Sequence, residues 1–445
     1  MIGLLLLLTG IGCLSFVVVV YGSYLRLVLR STKRKEYLEF IDRTLERDLS
    51  DEPLPRISVI VPAYNEERAI RRKLLDIQAF DYPHDKIEVI LIDDCSTDAT
   101  YEIAQQAFNQ RLVSGEILRN TTRLGANACF VKGFAEAAGD LILMTDVDVS
   151  IESDSITKGV KLFRQIDSLG GITGRLVPVS SRFTAPVKVE ESYRKFFDSM
   201  GISESAIHST YPGNGPFILV NRHALPEYPT GYGTTDANLA LGAIRRGLRF
   251  LYVPKIIFYE EVSSTIRDQL RQKIRRAARV VRCLIANGDM LFNGRYGRFG
   301  KTIFPLKFGM MVVCPILFLG GLLAVLLEIM YLSVGLGLFL GLVFALSIYL
   351  GTLGFRGLST LSTFVLHQFY LFVGLCYATT NPTKWNPVKR SEQSDLRVLA
   401  RPALRDIQGF LRTSIEKAQK LMRWPPETSF VDGLSKYVMP LRGSD

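Results

Sequence analysis

Two aspartates follow an apolar run near the middle of the chain, in the stretch GDLILMTDVDVS. One turn residue would be enough after such a run, whereas Asp146 and Asp148 put two carboxylates there, and these repel each other unless a cation lies between them. Mg²⁺ and similar hard divalent ions bind one or two protein carboxylates and take their other ligands from substrate phosphates. The pair therefore predicts a divalent metal that holds a pyrophosphate.

Two more polar clusters follow apolar runs earlier in the chain. Asn65 and Glu66 follow the first run, and Asp93 and Asp94 follow the second. Asp and Asn are also common as turn residues and helix caps, which is a sufficient reason for any one of the clusters alone. If the runs are parallel strands, however, all three clusters converge, because the carboxyl ends of such strands meet at one edge of the sheet, where ligands bind.

The elements that must position these clusters are visible in the hydrophobic pattern. Short apolar runs alternate with helical patterns, which is typical of a parallel sheet with crossover helices and predicts an α/β fold. The strands are predicted at 57–62, 87–92 and 140–145, and the helices at 66–79, 98–110 and 125–138. The chain contains neither GxxxxGK(S/T) nor GxGxxG, which argues against an NTPase or a dinucleotide-dependent dehydrogenase. Its six cysteines form no CxxC pair and its four histidines are scattered, so a zinc site is not indicated.

Other apolar residues are concentrated in blocks long enough to cross a bilayer. Residues 2–22 carry no charge and would span about 30 Å of hydrocarbon as a helix. This predicts a membrane helix rather than a cleaved signal peptide, since the run has no basic start and is too long for one. From Phe308 to Gly354 the apolar stretch is twice the spanning length, which predicts a hairpin of two helices with Glu328 near its wet tip.

A third apolar segment, at about 358–380, leaves two topologies open. The basic residues that follow the first helix are expected in the cytoplasm, and so is the domain after them. Three C-terminal crossings would then put the tail at 381–445 outside, but the tail has twelve Lys and Arg against seven Asp and Glu, which favours the inside. Either the third segment is re-entrant or interfacial, or the tail is an exception to the rule.

These motifs resemble those of family 2 glycosyltransferases with the GT-A fold, a Rossmann-like, mostly parallel sheet. VIVPAYNE, DDCSTD and TDVDVS are similar to the family's opening strand, nucleotide-binding Asp and Asp-x-Asp metal motif, and they occur in the same order. Further on, TTDANLALGAIRRGLRFLYVP is similar to the family's Thr-Glu-Asp block. The flanking membrane segments extend the resemblance to the integral-membrane branch, which includes hyaluronan, cellulose and poly-N-acetylglucosamine synthases and ceramide glucosyltransferases.

The resemblance implies a set of site residues. Asp236 is the expected general base, because the acceptor hydroxyl must lose its proton as it attacks the anomeric carbon. Asp148 and Asp146 are the expected metal ligands. The expected donor-binding residues are Ala63, Tyr64, Asn65, Glu66, Asp94, Asp146 and Arg275, and the expected acceptor-binding residues are Gly213, Asn214, Gly215, Gln272 and Arg276.

The implied activity is transfer of a sugar, with inversion, from a nucleotide-sugar donor to a growing polysaccharide or a lipid-linked acceptor, with Mg²⁺ or Mn²⁺ as cofactor. A UDP-sugar is favoured as the donor. Addition of a single sugar to a lipid is the alternative to processive synthesis, and a degenerate, non-catalytic scaffold is the alternative to an enzyme. A membrane-anchored nucleic-acid-binding protein would suit the net charge of +11, but no helical or zinc module for reading nucleic acid is visible, so no nucleic acid partner is expected.

The stretch RQKIRRAARVVR departs from the family at one position. The integral-membrane branch usually carries Gln-x-x-Arg-Trp here, and Gln272, Arg275 and Arg276 stand at the matching positions, with Arg276 in place of Trp. In the synthases the Trp helps to form the platform for the terminal sugar of the acceptor, so the departure bears on processive elongation and on the acceptor. As a helix, the stretch has an apolar side that is expected to pack on the domain or the bilayer interface and a polar side that is expected to face the site.

The predicted organisation is that of a multi-pass protein of the cell membrane with a cytoplasmic catalytic domain. Its expected partners are the donor, the acceptor and the lipid bilayer. Its parts are a transmembrane helix at 1–29, a basic cytoplasmic linker at 30–54, the GT-A domain at 55–265, amphipathic interfacial helices with the Gln-x-x-Arg motif at 266–300, two or three membrane helices at 301–380, and a basic tail at 381–445.

Overall fold

The structure is a computed structural model of the chain. It describes residues 2–29, 33–47, 53–179, 185–211, 215–225, 227–228, 235–261, 266–352, 355 and 357–378. Gly213 and Asn214, two of the predicted acceptor-binding residues, lie outside the described residues, and so does the predicted tail.

Eight strands form one mixed, mostly parallel sheet. They are β1 (Ile57–Ala63), β2 (Ile87–Asp93), β3 (Gly115–Arg119), β4 (Leu141–Met144), β5 (Val149–Ile151), β6 (Leu169–Val179), β7 (Ile218–Asn221) and β8 (Arg249–Glu261). In the order β3-β2-β1-β4-β7-β6-β8-β5, the first four strands are parallel, β7 is antiparallel to both neighbours, and β5 is antiparallel to β8. The three predicted strands are β1, β2 and β4, which confirms the α/β prediction.

Helices cover both faces of the sheet. The helices of this part of the chain are α2 (Lys33–Glu46), α3 (Ile70–Gln78), α4 (Thr100–Asn109), α5 (Ala126–Glu136), α6 (Ser155–Gln165), α7 (Ala185–Ile207), α8 (Thr235–Arg245) and α9 (Ile266–Ala286). Because side chains alternate along a strand, Val59 and Val61 enter the core under α2, α3, α4 and α6, whereas Ile60 enters the core under α5 and α8. Strands buried on both faces read as continuous apolar runs, which is the pattern that the sequence shows.

The segment predicted as a basic linker contains α2, which packs on the domain built around the sheet. Tyr37 and Ile41 are buried in the domain core, and the Tyr37 hydroxyl donates a hydrogen bond to the Tyr252 carbonyl at 2.9 Å. The chain between the first apolar helix and the sheet therefore includes a helical layer of the domain.

Four helices in the described residues are long and apolar enough to cross a membrane. They are α1 (Ile2–Leu29), the continuous helix Phe299–Leu332, which contains α10 (Phe304–Phe308) and α11 (Cys314–Leu332), then α12 (Val334–Thr352) and α13 (Leu358–Tyr377). The predicted hairpin is confirmed as two helices joined at Ser333. Glu328, however, is buried against Gly3 instead of lying exposed at a wet tip, because α1 packs along α11.

The contacts of α13 give its direction. The Phe364 ring lies 5.3 Å from that of Phe318 in α11, measured between centroids. Ten residues later Gly374 lies so close to α9 that a Cβ there would be 2.7 Å from the Ala278 amide nitrogen. α1 also runs toward the domain, since the Val28 carbonyl near its end accepts a hydrogen bond from the Ser203 hydroxyl of α7 at 3.0 Å. Both helices therefore end beside the domain built around the sheet.

Candidate active site

The two central aspartates lie on the turn between β4 and β5. Asp148 is buried and Asp146 is half-buried, at the carboxyl end of a strand that is itself buried on both faces. Beneath them the ammonium of Lys73, on α3, donates hydrogen bonds to the Thr145 hydroxyl at 2.9 Å and to the Val149 carbonyl at 3.0 Å. Lys73 therefore fixes the residues on either side of the acidic triplet and places a positive charge below it.

This turn suits a divalent ion that takes only part of its coordination from protein. Among the described residues no group of three or more His, Cys, Asp or Glu side chains is placed to hold a metal. Asp146 and Asp148 supply carboxylate oxygens, which Mg²⁺ and Mn²⁺ prefer, and two such ligands are what a phosphate-bound Mg²⁺ usually takes from protein. The residues fit a metal whose remaining ligands come from a substrate diphosphate.

Asn65 and Glu66 follow β1 and are tied to the loop after β2. Asn65 adopts a left-handed conformation with φ of 53°, and its side-chain oxygen accepts a hydrogen bond from the Thr97 amide at 2.8 Å. The Glu66 amide donates to the Thr100 hydroxyl at 2.7 Å. These contacts hold the ends of two neighbouring parallel strands together, at the edge where the sequence predicts nucleotide binding.

Asp94, the predicted nucleotide-binding residue, anchors a second loop. Its carboxylate accepts hydrogen bonds from the amides of Leu124 and Gly125, at 2.8 and 2.7 Å, and from the Asn120 side chain at 2.9 Å. Burial raises the pKa of Asp94, but these hydrogen bonds favour its charged form more strongly, so that the pKa lies below the usual range. The same loop brings the Arg123 guanidinium to 3.8 Å from the centre of the Tyr64 ring.

α9 brings its polar side to the acidic turn. Burial, and then the neighbouring charges of Arg276 and Arg279, lower the pKa of Arg275 to about 10, while the carboxylates of Asp146 and Glu260 act against that decrease. Arg275 therefore stays charged at neutral pH and lies within electrostatic reach of Asp146. On its apolar side α9 buries Ala277, Ala278, Val281 and Leu284, whereas Leu270 and Ile285, which belong to the same side of the predicted helix, are exposed.

Asp236 lies in the first turn of α8 and is only 4% exposed. A Cβ at Gly215 would be 4.0 Å from its carboxyl carbon, so the predicted acceptor-side glycine borders it directly. Tyr211 and Cys283 lie in one buried cluster with Ala237, the residue after Asp236. Burial, and then the charge of Asp236 among other causes, raises the pKa of the Cys283 thiol to about 11. Burial also raises the pKa of Tyr211 well above its usual value, with Cys283 and Asp236 adding to the effect.

One helix thus links the two halves of the site. Arg275 is within electrostatic reach of Asp146, and Cys283 packs in one buried cluster with Ala237, the residue after Asp236. The two α9 residues are separated by about 12 Å along the helix, at 1.5 Å per residue.

Comparison with known proteins gives the family. The family described as Glycosyl transferase family 2 matches residues 58–214, and the one described as Glycosyl transferase family group 2 matches residues 141–373, which is just over half of the chain. The chain belongs to glycosyl transferase family 2. The resemblance read from the sequence is therefore confirmed.

Individual relatives of this glycosyltransferase match it over part of their length. An N-acetylglucosaminyltransferase from Rhizobium meliloti is 26% identical over 238 residues, which is 51% of this chain and 55% of that protein. An N-acetylglucosaminyltransferase from Azorhizobium caulinodans is 29% identical over 240 residues, which is 50% of this chain and 59% of that protein. The chain thus spans less than two thirds of the length of these relatives.

A solved structure confirms the fold of the glycosyltransferase. The mannosyltransferase PcManGT from Pyrobaculum calidifontis, in complex with GDP-Man and Mn²⁺, aligns with a TM-score of 0.64 at 22% identity. The alignment covers 84% of this chain and 99% of that one. The GT-A fold predicted from the motifs is therefore correct.

Four residues around the site were not predicted from the sequence. They are Lys73, Glu260, Tyr211 and Cys283. Each lies on an element that reaches the site only through contacts between distant parts of the chain. Each residue type is also common in purely structural roles. The one local signal was a lysine inside the apolar pattern of α3, at the position of Lys73.

Proposed function

We propose that this glycosyltransferase moves a sugar from a nucleoside diphosphate to an acceptor hydroxyl, with inversion at the anomeric carbon, and that Asp236 is the general base. The observation that carries the proposal is the placement of α9, which packs Cys283 in one buried cluster with Ala237, the residue after Asp236, and keeps Arg275 within electrostatic reach of Asp146. The donor diphosphate then lies at one end of this helix segment and the acceptor hydroxyl at the other.

Asp236 has the surroundings that a general base for an alcohol needs. An acceptor hydroxyl has a pKa far above neutrality, so its proton must be taken as it attacks, by a carboxylate within hydrogen-bond reach. The pKa values of Tyr211 and Cys283 are both raised, so both stay protonated and neither competes with the Asp236 carboxylate for the role of base. A single displacement assisted in this way inverts the anomeric centre.

On the donor side, Asp146 and Asp148 would hold Mg²⁺ or Mn²⁺, which neutralises charge on the leaving diphosphate when it is bound. Arg275 meets the same diphosphate from α9. Tyr64, Asn65 and Asp94, with Ala63 and Glu66, border the nucleotide at the ends of β1 and β2. The Mn²⁺ in the complex of the Pyrobaculum enzyme supports the choice of metal.

The names of the relatives support an N-acetylhexosamine as the transferred sugar, which agrees with the UDP-sugar favoured from the sequence. The GDP-Man of the Pyrobaculum enzyme makes GDP-mannose the second donor to test. Both donors present a diphosphate to the same acidic turn, so the nucleotide and the sugar are recognised elsewhere in the site.

We further propose that the acceptor is carried by a lipid. The membrane helices approach one another closely at glycines: a Cβ at Gly10 would lie 3.0 Å from the Gly321 carbonyl, and one at Gly309 would lie 3.2 Å from Val20. Such contacts are typical of packed helices and do not suggest helices that line a passage for a sugar chain. A growing polysaccharide stays the alternative acceptor.

The catalytic domain is proposed to face the cytoplasm in a multi-pass protein of the cell membrane. Basic residues such as Arg26 and Lys33 follow the apolar part of α1, on the side to which that helix delivers the domain. Because α13 also ends beside the domain, the basic tail after it starts on this same side, as its composition favours.

The test is a screen of radiolabelled nucleotide sugars with membranes that contain the wild-type chain or Asp236→Asn. The wild type is expected to transfer label in the presence of Mn²⁺ and to stop when the metal is chelated, and the variant is expected to bind donor without transfer. Label that extracts into organic solvent with one added sugar supports a lipid acceptor, and label in long polysaccharide supports processive synthesis. Full activity of Asp236→Asn would show that the base is another residue.

A further inference from the structure

A buried ion pair joins the membrane helices to the acceptor side of the site. The side chains of Lys307, on α10, and Glu204, on α7, are 3% and 0% exposed, and Nζ lies 2.9 Å from Oε2. Tyr24 of α1 donates a hydrogen bond to Oε1 of the same carboxylate, and the Thr210 hydroxyl donates one to Oε2 at 2.8 Å. Two membrane helices, α7 and the segment that follows α7 thus meet at one buried carboxylate.

Lys307 also holds Tyr211. Its ammonium donates a hydrogen bond to the Tyr211 carbonyl at 3.0 Å and lies 5.3 Å from the centre of the Tyr211 ring. Tyr211 is the last described residue before the segment at 212–214, and Gly215 on the far side of that segment borders Asp236. Tyr211 packs in one buried cluster with Ala237, the residue after Asp236 on α8. One lysine therefore fixes both the main chain and the ring of a residue that packs against the helix that carries the proposed base.

Stability alone is a weak reason for this ion pair. Taking two charges out of water is costly, and apolar residues of similar volume often stabilise a protein as well or better. The surroundings would accept them, since Tyr211 lies in an apolar cluster with Val281, Phe299 and Phe304. The charged pair differs from apolar residues in making directional hydrogen bonds, and these fix the path of the chain after α7 and the position of the Tyr211 ring.

We propose that Lys307 and Glu204 are positioning residues that set the place of Tyr211 and, through it, the place of the Asp236 carboxylate relative to the acceptor. The inference rests on the proposed role of Asp236. It makes sugar transfer depend on how α1 and α10 are seated against the catalytic domain, since Tyr24 and Lys307 belong to those helices. Neither charged residue needs to contact a substrate in this role.

The experiment uses the full chain in lipid nanodiscs. The variants are Lys307→Met, Lys307→Arg, and the double variant Lys307→Met with Glu204→Gln, which removes both charges together. Lys161→Met is the matched control, because the Lys161 ammonium also holds a main-chain carbonyl of another element, that of Leu45, at 2.7 Å. Each variant is measured for Tm, for the Kd of the donor in the presence of Mn²⁺, and for kcat and the KM of the acceptor.

Lys307→Met is expected to lower kcat by about tenfold to a hundredfold, which is the range that a displacement of about 1 Å produces in a catalytic group. The donor Kd is expected to stay unchanged, and Lys307→Arg is expected to recover part of kcat. The double variant carries the decisive comparison. It is expected to recover Tm, because no unpaired charge is left in the core, while kcat stays low.

Recovery of kcat together with Tm in the double variant would show that the pair is only structural, and so would a wild-type kcat in Lys307→Met. If Lys307→Met does not fold, it is replaced by Tyr24→Phe, which keeps both charges and removes only the hydrogen bond to Glu204. A lowered kcat at nearly unchanged Tm in this variant supports the inference, and an unchanged kcat overturns it. Asp236→Asn is measured alongside. If it is inactive while the Lys307 variants are normal, only the positioning role is wrong, and if it is active, the proposed base is wrong.

Discussion

Arg276 of α9 and Glu260 of β8 form an ion pair across the site, with 3.3 Å between Nη2 and Oε1. The Glu260 side chain is 13% exposed and that of Arg276 is 46% exposed. Arg276 stands where the resemblance leads us to expect a Trp, so a charged group held by a largely buried carboxylate replaces a flat apolar ring. We therefore expect this part of the acceptor site to recognise charge and hydrogen-bonding groups and not to stack against a sugar.

Arg276→Ala is expected to raise the acceptor KM by about fivefold, since a partly exposed ion pair contributes about 1 kcal/mol or less. The donor KM is expected to stay unchanged, because Arg275 and the acidic turn remain. Steady-state kinetics with each substrate varied in turn check this, and Arg276→Lys is the control that keeps the charge. An effect on the donor KM larger than that on the acceptor KM would place Arg276 on the donor side instead.

Lys73→Met is expected to lower the free energy of unfolding by about 3 kcal/mol, the cost of removing one partner from a buried ion pair. Lys73 lies 4.0 Å from Asp76, with both side chains buried, and holds Thr145 and Val149. The variant also loses the charge that offsets the repulsion between Asp146 and Asp148. Mn²⁺ is therefore expected to raise the Tm of the variant by more than it raises that of the wild type.

Thermal unfolding with and without Mn²⁺ measures this difference. Lys161→Met serves as the control, since it removes a lysine that bonds a carbonyl away from the acidic turn. A smaller Mn²⁺ effect in Lys73→Met than in the wild type would mean that Lys73 shapes the turn for the metal more than it neutralises the carboxylates.

The strand ends could be predicted from the sequence because their physics is local. Apolar runs that are buried on both faces must stop at polar turns, and in parallel strands those turns meet, so the sequence pattern alone places Asn65, Asp94 and Asp146 at one edge of the sheet. Asp236 required more, because a helix N-terminus with an aspartate is common. Its proposed role came from the resemblance, and its surroundings came from the structure.

The features that were not predicted depend on contacts between distant elements. The sequence of α2 resembles a linker because its charged residues conceal the apolar face that carries Tyr37 and Ile41. Lys73 was not predicted as a site residue because a lysine is usually solvated, and only the crossing of α3 under the acidic turn buries it. Glu328 was expected at an exposed tip because the packing of α1 along α11 cannot be read from either segment alone.

Stability at acid pH is expected to depend on Asp94. Its pKa in the folded protein is lowered, because hydrogen bonds from Leu124, Asn120 and Gly125 outweigh the effect of burial. A carboxyl with a lowered pKa stabilises the fold fully above its unfolded-state value of about 3.9, and this contribution is lost as the pH falls through the folded-state pKa. The difference in unfolding free energy between the wild type and Asp94→Asn is therefore expected to be constant from neutral pH to about pH 4 and to shrink below it.

Denaturant unfolding of both proteins across that pH range checks this expectation. Asp140→Asn is a useful control. The pKa of Asp140 is also lowered, mainly by the hydrogen bond from the Arg56 amide, but Asp140 lies outside the loop that carries Leu124 and Gly125. If the difference for Asp94→Asn grew toward acid pH, the hydrogen bonds to the loop would not be favouring the charged form.

The end of α13 is expected on the same side of the membrane as the catalytic domain. Phe364 packs at the level of Phe318 within the membrane helices, while Gly374 packs on Ala278 of α9, so α13 approaches the domain as it proceeds. Its start is held near the end of α12, where the Ser362 hydroxyl donates to the Ile348 carbonyl at 2.9 Å. On this arrangement α12 and α13 together cross the bilayer once, from Ser333 back to the side of the domain, and the tail at 381–445 is expected inside, as its basic composition favours.

Reporter fusions after Ala378 and after Ser333 measure this topology, with a fluorescent protein and alkaline phosphatase at each site. Fluorescence is expected after Ala378 and phosphatase activity after Ser333. Phosphatase activity at both sites would mean that α13 crosses the bilayer by itself.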